Sequence, residues 1–178
     1  MFFQQRKLMN SNKNLVFLGM MGSGKSSIGN LVSQKLNFPF IDIDNLIVEN
    51  TGMSISKIFK EKGEDYFRHL EEKTTLKCLK KIKNVVSLGG GGFINTKVRK
   101  EVLANHFSFW LNWDESTLIK RIKGSKKRPL AFKSTDKEIR AIIKDRSKIY
   151  TNAQFKINCN KISKTEIVRK IIKIYELN

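Results

Sequence analysis

A lysine and a serine at the end of a glycine-rich segment have the spacing of a polyphosphate-binding loop. Residues 19–26 read GMMGSGKS and match the pattern G-x-x-x-x-G-K-[ST]. Glycines let successive N–H groups turn towards one anion, and a helix that begins near Lys25 adds its own unpaired N–H groups. Lys25 could reach the β- and γ-phosphates while the Ser26 hydroxyl binds Mg²⁺. We therefore predict a nucleotide site formed by Gly22, Ser23, Gly24, Lys25, Ser26 and Ser27.

Two carboxylates follow at the end of a second predicted strand. The segment 38–44 (FPFIDID) is interpreted as a strand that carries Asp42 and Asp44 at its carboxyl end, where open α/β sheets bind ligands. Alternate residues of a strand point to one side, so both carboxylates would face the same crevice. One could hold a metal through water and the other could accept the proton of an attacking hydroxyl. Capping of the next helix is an alternative role for either residue.

An arginine and a glutamate one helical turn apart could bind a carboxylate. Arg68 and Glu71 share a face of the helical pattern DYFRHLEEK, and a guanidinium held by a glutamate is a planar fork. A surface ion pair is the alternative. Glycines 89–92 follow a third predicted strand, and their N–H groups could bind an anion or a hydroxyl. The chain has no Asn-Lys-x-Asp segment of the kind a GTPase uses, so a small hydroxylated acid is the acceptor that these residues indicate.

Alternating strands and helices would position these residues. Strand-like segments are predicted at 15–18, 38–44, 84–92, 106–113 and 153–159. Helical patterns are predicted at 45–81, with breaks near Gly52 and Gly63, and at 95–104, 115–123, 135–149 and 164–176. The alternation predicts an α/β fold with a mainly parallel sheet and helices on both faces. No linker rich in proline, glycine or serine interrupts it, so one domain is predicted.

The composition argues against several classes of protein. The 178 residues carry a net charge of +19, which could mark a nucleic-acid surface or steer anionic substrates. The basic residues are scattered along the chain, so no nucleic-acid partner is expected. No apolar run approaches the length that crosses a membrane, and two cysteines are too few for a disulfide framework. We expect a cytoplasmic protein in which residues 1–13 form a flexible N-terminal extension.

Taken in order, the motifs resemble those of shikimate kinases, P-loop enzymes that phosphorylate the 3-hydroxyl of shikimate with ATP and Mg²⁺. The resemblance begins at about Asn14 and rests on GMMGSGKSSIG, FIDIDNLI, TGMSISKIF, FRHLEE, SLGGGG, KRPL and the arginine of DRSKIY. It implies a three-layer α/β/α fold, similar to nucleoside monophosphate kinases, with a five-stranded parallel sheet of order 2-3-1-4-5. The single domain would span 14–178, with a substrate-binding segment at about 44–80 and a lid at about 123–134. We expect a monomer.

The resemblance implies a role for each candidate residue at the acceptor end. Asp44 would bind shikimate hydroxyls and act as the base. Arg68, oriented by Glu71, would grip the substrate carboxylate together with Arg146. The backbone of Gly90 would contact the substrate.

The resemblance also implies roles at the nucleotide end. Ser26 would bind the metal directly and Asp42 through water. Arg121 would pack on adenine, near the segment 160–163, and Arg128 of the lid would meet the ATP phosphates. The catalytic residues would then be Lys25, Asp44 and Arg128.

Several assignments stay open on the sequence alone. Phe59 and Phe67 could line the shikimate ring or simply pack in the core. The basic segment 123–134 could be a lid that excludes water or a solvated surface loop. After Arg146 the family usually has proline and leucine, whereas this chain has lysine and isoleucine at 148–149, so the backbone constraint on Arg146 is lost. The alternative functions are another small-molecule P-loop kinase, such as a gluconate kinase, and a basic nucleic-acid-binding P-loop protein.

Overall fold

The computed structural model describes residues 12–124 and 134–178, and five parallel strands form its sheet. They are β1 (Leu15–Leu18), β2 (Phe40–Asp42), β3 (Val85–Ser87), β4 (Phe107–Asn112) and β5 (Phe155–Asn158). Their order is β2-β3-β1-β4-β5, with β1 in the middle, where Leu15 pairs with Val85 of β3 and Phe107 of β4. The predicted fold class and strand order are confirmed.

Helices connect the strands and cover both faces of the sheet. They are α1 (Lys25–Leu36), α2 (Ile43–Thr51), α3 (Ile55–Leu79), a short 3₁₀ helix (Gly92–Ile94), α4 (Thr96–Asn105), α5 (Glu115–Lys123), α6 (Asp136–Tyr150) and α7 (Lys164–Glu176). Within the described ranges, none of them is long and apolar enough to cross a membrane.

Each face of the sheet has its own apolar cluster. Leu15 and Phe17 of β1 belong to the cluster formed with α1 and α7, whereas Val16 and Leu18 belong to the cluster formed with α2 to α6. Alternate residues of a strand point to opposite faces, so a strand between two layers of helices must be apolar throughout. This is why β1, which lies at the centre, is a continuous run of buried residues.

The second strand is shorter than predicted, and the prediction that Asp42 and Asp44 both lie on it is wrong. The strand ends at Asp42, whose side chain accepts a hydrogen bond from the Asn45 backbone N–H at 3.2 Å and caps α2. Asp44 lies in the first turn of that helix. A capping carboxylate satisfies helix N–H groups that have no partner within the helix, so the chain turns directly from strand into helix.

The predicted breaks in the long helical segment are confirmed. Gly52 ends α2 with a φ of 66°, in the left-handed region that glycine adopts most easily. Gly63 interrupts α3 with a φ of 84° and a ψ of 171°, so α3 consists of two helical pieces that meet at an angle. The second piece carries the Arg68 and Glu71 pair towards the sheet.

A buried asparagine closes the amino-terminal end of the sheet. The Asn14 amide donates to the backbone carbonyls of Leu79 at 3.1 Å and Lys81 at 2.7 Å, and its carbonyl accepts from the Asn84 N–H at 2.9 Å. Asn14 is fully buried. One side chain therefore joins the start of β1 to the end of α3 and the start of β3.

We predict that Asn14→Ala lowers the free energy of unfolding by about 2–4 kcal/mol, because buried backbone groups lose their partner. Urea denaturation measures the change. The matched control is Asn152→Ala, which removes a single exposed hydrogen bond from the side-chain amide to the Ile149 carbonyl. This substitution should cost at most about 0.5 kcal/mol. Equal losses in the two variants would contradict the assignment.

Candidate active site

The glycine-rich loop follows β1 and leads into α1, as its motif predicts. Gly19, Gly22 and Gly24 all have positive φ, which lets the backbone curl around a concave surface. Lys25 is the first residue of α1, and its ammonium group donates to the carbonyls of Gly19 at 2.9 Å and Met20 at 3.0 Å. These contacts hold the buried Lys25 cation inside the loop, where a phosphate would bind.

The loop is joined to the end of β2 by a short hydrogen bond. The Ser26 hydroxyl donates to Asp42 Oδ2 at 2.5 Å. A hydroxyl and a carboxylate side by side are the hard oxygen ligands that Mg²⁺ prefers, and Mg²⁺ usually takes only one or two such ligands from the protein. The described residues contain no cluster of three or more metal-ligating side chains. The pair therefore fits Mg²⁺ that is held mainly by phosphates and water.

One cavity of about 750 Å³ brings the two ends of the predicted site together. It is bounded by the phosphate loop, the start of α2, both pieces of α3, the glycine loop after β3, and α6. The predicted site residues on its wall are Gly22, Gly24, Lys25, Ser26, Ser27, Asp42, Asp44, Arg68, Gly90 and Arg146. Asp44 reaches this wall from the first turn of α2 rather than from the strand.

Arg68 is held by two glutamates. Its Nη1 donates to Glu71 Oε2 at 2.8 Å, which confirms the predicted pair, and the Glu71 side chain is only 4% exposed. The alternative of a surface ion pair is therefore wrong. Arg68 Nε and Nη2 both donate to Glu64 Oε1, at 3.1 and 3.0 Å. The sequence interpretation missed Glu64, although its spacing of four residues from Arg68 was a usable signal.

Two phenylalanines lie against the same guanidinium. Arg68 Cζ is 5.9 Å from the centre of the Phe59 ring and 5.2 Å from that of Phe67, within the range of a cation–π contact. Both side chains line the cavity, and Phe67 is also buried in the core. The two predicted alternatives, a cavity wall and core packing, therefore both describe Phe67.

Glu71 is a buried carboxylate on the wall of the cavity. Its Oε1 accepts no hydrogen bond from any residue that the structure describes. Burial raises the pKa of Glu71, the positive charge of Arg68 partly offsets this, and the nearby Asp44 carboxylate raises the pKa further. Burial of Oε1 without a hydrogen-bond partner among the described residues disfavours charge on this carboxylate, in agreement with the direction of its pKa.

The glycine run makes room for the charged side chains of the site. A Cβ added to Gly89 would lie 2.6 Å from Asp44 Oδ1 and closer still to Glu71 Oε1. A Cβ added to Gly91 would lie 2.5 Å from Arg68 Nη1 and 2.9 Å from its Cζ. Glycine is required at these positions because charged side chains of the protein itself approach the backbone. That the loop N–H groups bind substrate stays a prediction.

The Gly90 carbonyl of this loop accepts hydrogen bonds from two residues of α6. Arg146 Nη1 donates to the Gly90 carbonyl at 3.1 Å, and the Tyr150 hydroxyl donates to the same oxygen at 2.6 Å. Burial raises the pKa of Tyr150 to about 12. Lysine and isoleucine at 148–149 let α6 continue unbroken to Tyr150, so Arg146 still reaches the cavity without the proline. The sequence interpretation assigned no role to Tyr150.

A second pocket, of about 370 Å³, adjoins the first and shares Gly22 and Gly24 with it. The Trp113 indole N–H donates to the Ser23 carbonyl at 2.8 Å, and the Arg121 guanidinium lies 3.8 Å from the Trp113 ring centre. Arg121 therefore lies beside the phosphate loop with a planar surface that suits a base. Trp113 was interpreted only as the end of a strand. Ile162 of the predicted segment 160–163 lines the same pocket.

Arg128, the predicted lid arginine, lies outside the described residues, as does most of the predicted segment 123–134. The two helices that flank this segment are tied together by ion pairs, Lys123 to Asp136 and Arg140 to Glu115. The choice between a lid and a solvated loop stays open.

Comparison with known proteins agrees with this geometry. A family model described as shikimate kinase matches residues 21–176. The chain is 38% identical over 160 residues to the shikimate kinase of Sulfurihydrogenibium sp. (strain YO3AOP1), covering 90% of this chain and 96% of the relative. A solved shikimate kinase from Acinetobacter baumannii in complex with shikimate matches with a TM-score of 0.87 and 25% identity, over 94% of this chain and 95% of that one. A gluconokinase from Sinorhizobium meliloti 1021, with 16% identity, a TM-score of 0.56 and coverage of 93% of this chain and 92% of its own, is similar in fold alone.

We predict that Gly91→Ala raises the KM for a carboxylate-bearing acceptor by about tenfold or more, because the new methyl group displaces Arg68 and weakens its charge-assisted hydrogen bonds. The KM for ATP should change little. Steady-state kinetics measure both values. The control is Gly92→Ala, whose Cβ would meet nothing closer than 3.4 Å. A similar rise in both variants would show that the loop tolerates no side chain for reasons unrelated to Arg68.

Proposed function

This chain belongs to the shikimate kinase family, and from that membership we propose which of its residues carry out the reaction. The enzyme transfers the γ-phosphoryl group of ATP to the 3-hydroxyl of shikimate with Mg²⁺, giving shikimate 3-phosphate and ADP in the pathway to chorismate and the aromatic amino acids. One observation supports the residue assignment above all. Arg68, paired with the buried Glu71, lies on the wall of the cavity that also contains the Lys25 loop.

Arg68 and Arg146 bind the shikimate carboxylate in this proposal. Both side chains line the cavity, and both are placed by the glycine loop after β3, Arg146 through the Gly90 carbonyl and Arg68 by its close approach to Gly91. Two planar guanidinium groups can each offer a pair of N–H donors to one carboxylate. The hydroxylated ring is thereby oriented with its hydroxyls towards Asp44, whose carboxylate lies against Gly89.

Asp44 acts as the base. Its carboxylate takes the proton of the 3-hydroxyl while that oxygen forms a bond to the γ-phosphorus. The bond from the γ-phosphorus to the β–γ bridging oxygen breaks, and its electron pair leaves with ADP. Lys25 places a positive charge beside the transferred group, where negative charge on the phosphoryl oxygens must be balanced.

Ser26 and Asp42 hold the Mg²⁺ ion, Ser26 directly and Asp42 through water. Their contact at 2.5 Å supports this, because it brings together a hydroxyl and a carboxylate at the mouth of the phosphate loop. When bound, the ion screens the negative charge of the β- and γ-phosphates. Until then, the hydrogen bond between the two residues keeps the ligands near each other.

The rest of the nucleotide is bound by the loop and by the second pocket. Backbone N–H groups of the loop, with Ser23 and Ser27, surround the phosphates, and Arg121 stacks on adenine. Support comes from the Arg121 guanidinium on the Trp113 ring, which fixes a flat cation next to Gly22 and Gly24. Arg128 approaches the γ-phosphate from the segment at 123–134, which we assign as a lid.

We further propose the domain organisation and the setting of the enzyme. Residues 14–178 form one catalytic domain, with residues 1–13 as an extension and about 44–80 as the acceptor-binding segment. The protein acts as a monomer in the cytoplasm, with no nucleic-acid or membrane partner. The scattering of its basic residues along the whole chain supports the absence of a nucleic-acid surface.

A coupled ADP-release assay tests the function, with shikimate, gluconate and RNA supplied separately. We expect release with shikimate alone, and Lys25→Ala should lower kcat by about 10²-fold or more. The control is Lys35→Ala, an exposed lysine in the last turn of α1, which should retain wild-type turnover. Equal turnover of gluconate, or full activity of Lys25→Ala, would refute the proposed function.

The lid assignment has its own test. Arg128→Ala should lower kcat by about 10²-fold, because the arginine balances charge on the phosphoryl group mainly in the transition state. Lys127→Ala, its neighbour, should cost far less, and shikimate binding measured without ATP should be unchanged in both. If the two variants slow the reaction to the same small degree, the segment is a solvated surface loop.

A further inference from the structure

The side chain of Glu64 occupies the donor edge of Arg68 that a substrate carboxylate could use. One oxygen of Glu64 accepts from both Nε and Nη2 of Arg68, at 3.1 and 3.0 Å. Glu64 also lines the cavity, on the same wall as Arg68 and Glu71. The Glu64 carboxylate is therefore bound at the Nε and Nη2 donors of Arg68 in this structure.

The two glutamates that hold Arg68 differ in their freedom to move. The Glu71 side chain is 4% exposed and Glu64 is 62% exposed. A third carboxylate on the same guanidinium would meet two like charges, which opposes its binding. Glu71 stays beside Arg68, because separating the two would leave the buried carboxylate of Glu71 without a compensating charge. Only Glu64 can leave Arg68 for water.

The position of Glu64 in α3 makes its release inexpensive. It directly follows Gly63, where the helix is interrupted, so it opens the second helical piece. A carboxylate in the first turn of a helix is favoured by the unpaired N–H groups and the helix dipole. The charge of Glu64 therefore keeps a favourable environment after it leaves the guanidinium.

We propose that Glu64 tunes the affinity for the acceptor: it competes with the substrate carboxylate for Arg68 and is displaced when shikimate binds. This inference rests on the proposed function. Binding then exchanges one ion pair at Arg68 for another instead of adding one. An acceptor without a carboxylate cannot make this exchange, and it leaves Glu64 in place. The competitor therefore lowers the affinity for shikimate and makes it less sensitive to salt.

The test is the variant Glu64→Gln, which keeps the size of the side chain and removes its charge. The KM for shikimate should fall by about two- to fivefold, the value of one exposed ion pair, while kcat and the KM for ATP stay unchanged. The matched control is Glu61→Gln, since Glu61 is an exposed carboxylate of the same helix that pairs with Lys57 and not with Arg68. This control should show no change, which separates local competition from the loss of a general negative charge.

Two further measurements distinguish competition from a structural role. The KM for shikimate should rise more steeply with salt in Glu64→Gln than in the wild type, because binding in the variant adds an ion pair that salt screens. The KM for the neutral methyl ester of shikimate should be the same in both proteins. Glu64→Ala should shift the KM for shikimate in the same direction, and thermal unfolding checks that each variant is folded.

The outcomes are separable. A rise in the KM for shikimate in Glu64→Gln would show that Glu64 orients Arg68 for the substrate, and an effect equal to that of Glu61→Gln would show no role in binding. Either result overturns the proposal while the wild-type enzyme still phosphorylates shikimate. Failure of the wild-type enzyme to do so would instead overturn the proposed function.

Discussion

The buried carboxylate of Glu71 is the constraint on which the acceptor side of the cavity depends. Removing one partner of a buried ion pair typically costs about 3–5 kcal/mol, because the other charge is left without compensation. Arg68 must therefore stay beside Glu71, and the second piece of α3 must keep the angle that brings both side chains to the sheet. The arginine that we propose as the binding group for the substrate carboxylate therefore also contributes to the stability of the fold.

The glycine loop after β3 transmits this constraint to the rest of the cavity. Gly89 and Gly91 lie so close to Asp44, Glu71 and Arg68 that no side chain fits there. The carbonyl of Gly90, between these glycines, accepts hydrogen bonds from Arg146 and Tyr150 of α6. Side chains of α2, α3 and α6 thus all contact the glycine loop at 89–92. The charged groups of the acceptor side and the glycine loop therefore restrict each other's positions.

The nucleotide end is built on a different principle. Its phosphate-binding groups come from one continuous segment, in which a strand, a loop and a helix follow each other directly, so local geometry is sufficient to form the phosphate site. Among the hydrogen bonds that join it to the rest of the described site are those of the Ser26 hydroxyl to Asp42 and of the Trp113 indole to the Ser23 carbonyl.

The sequence by itself determined whatever depends on neighbours along the chain. The phosphate loop, the breaks at Gly52 and Gly63 and the pairing of Arg68 with Glu71 were all predicted, because backbone freedom and helical spacing are local properties. The alternation of strands and helices predicted the fold class, and the resemblance to a family added the strand order. Asp44 was assigned to a strand because the pattern could not show that Asp42 caps a helix.

Only the tertiary structure decided which distant groups meet. Tyr150 and Gly90 are 60 residues apart, and Trp113 and Ser23 are 90 apart, so no spacing along the chain could reveal their hydrogen bonds. The reason for Gly91 was also hidden, since the side chain that excludes a Cβ there belongs to α3. Local propensities act over a few residues, whereas burial of charge depends on which elements the fold brings side by side.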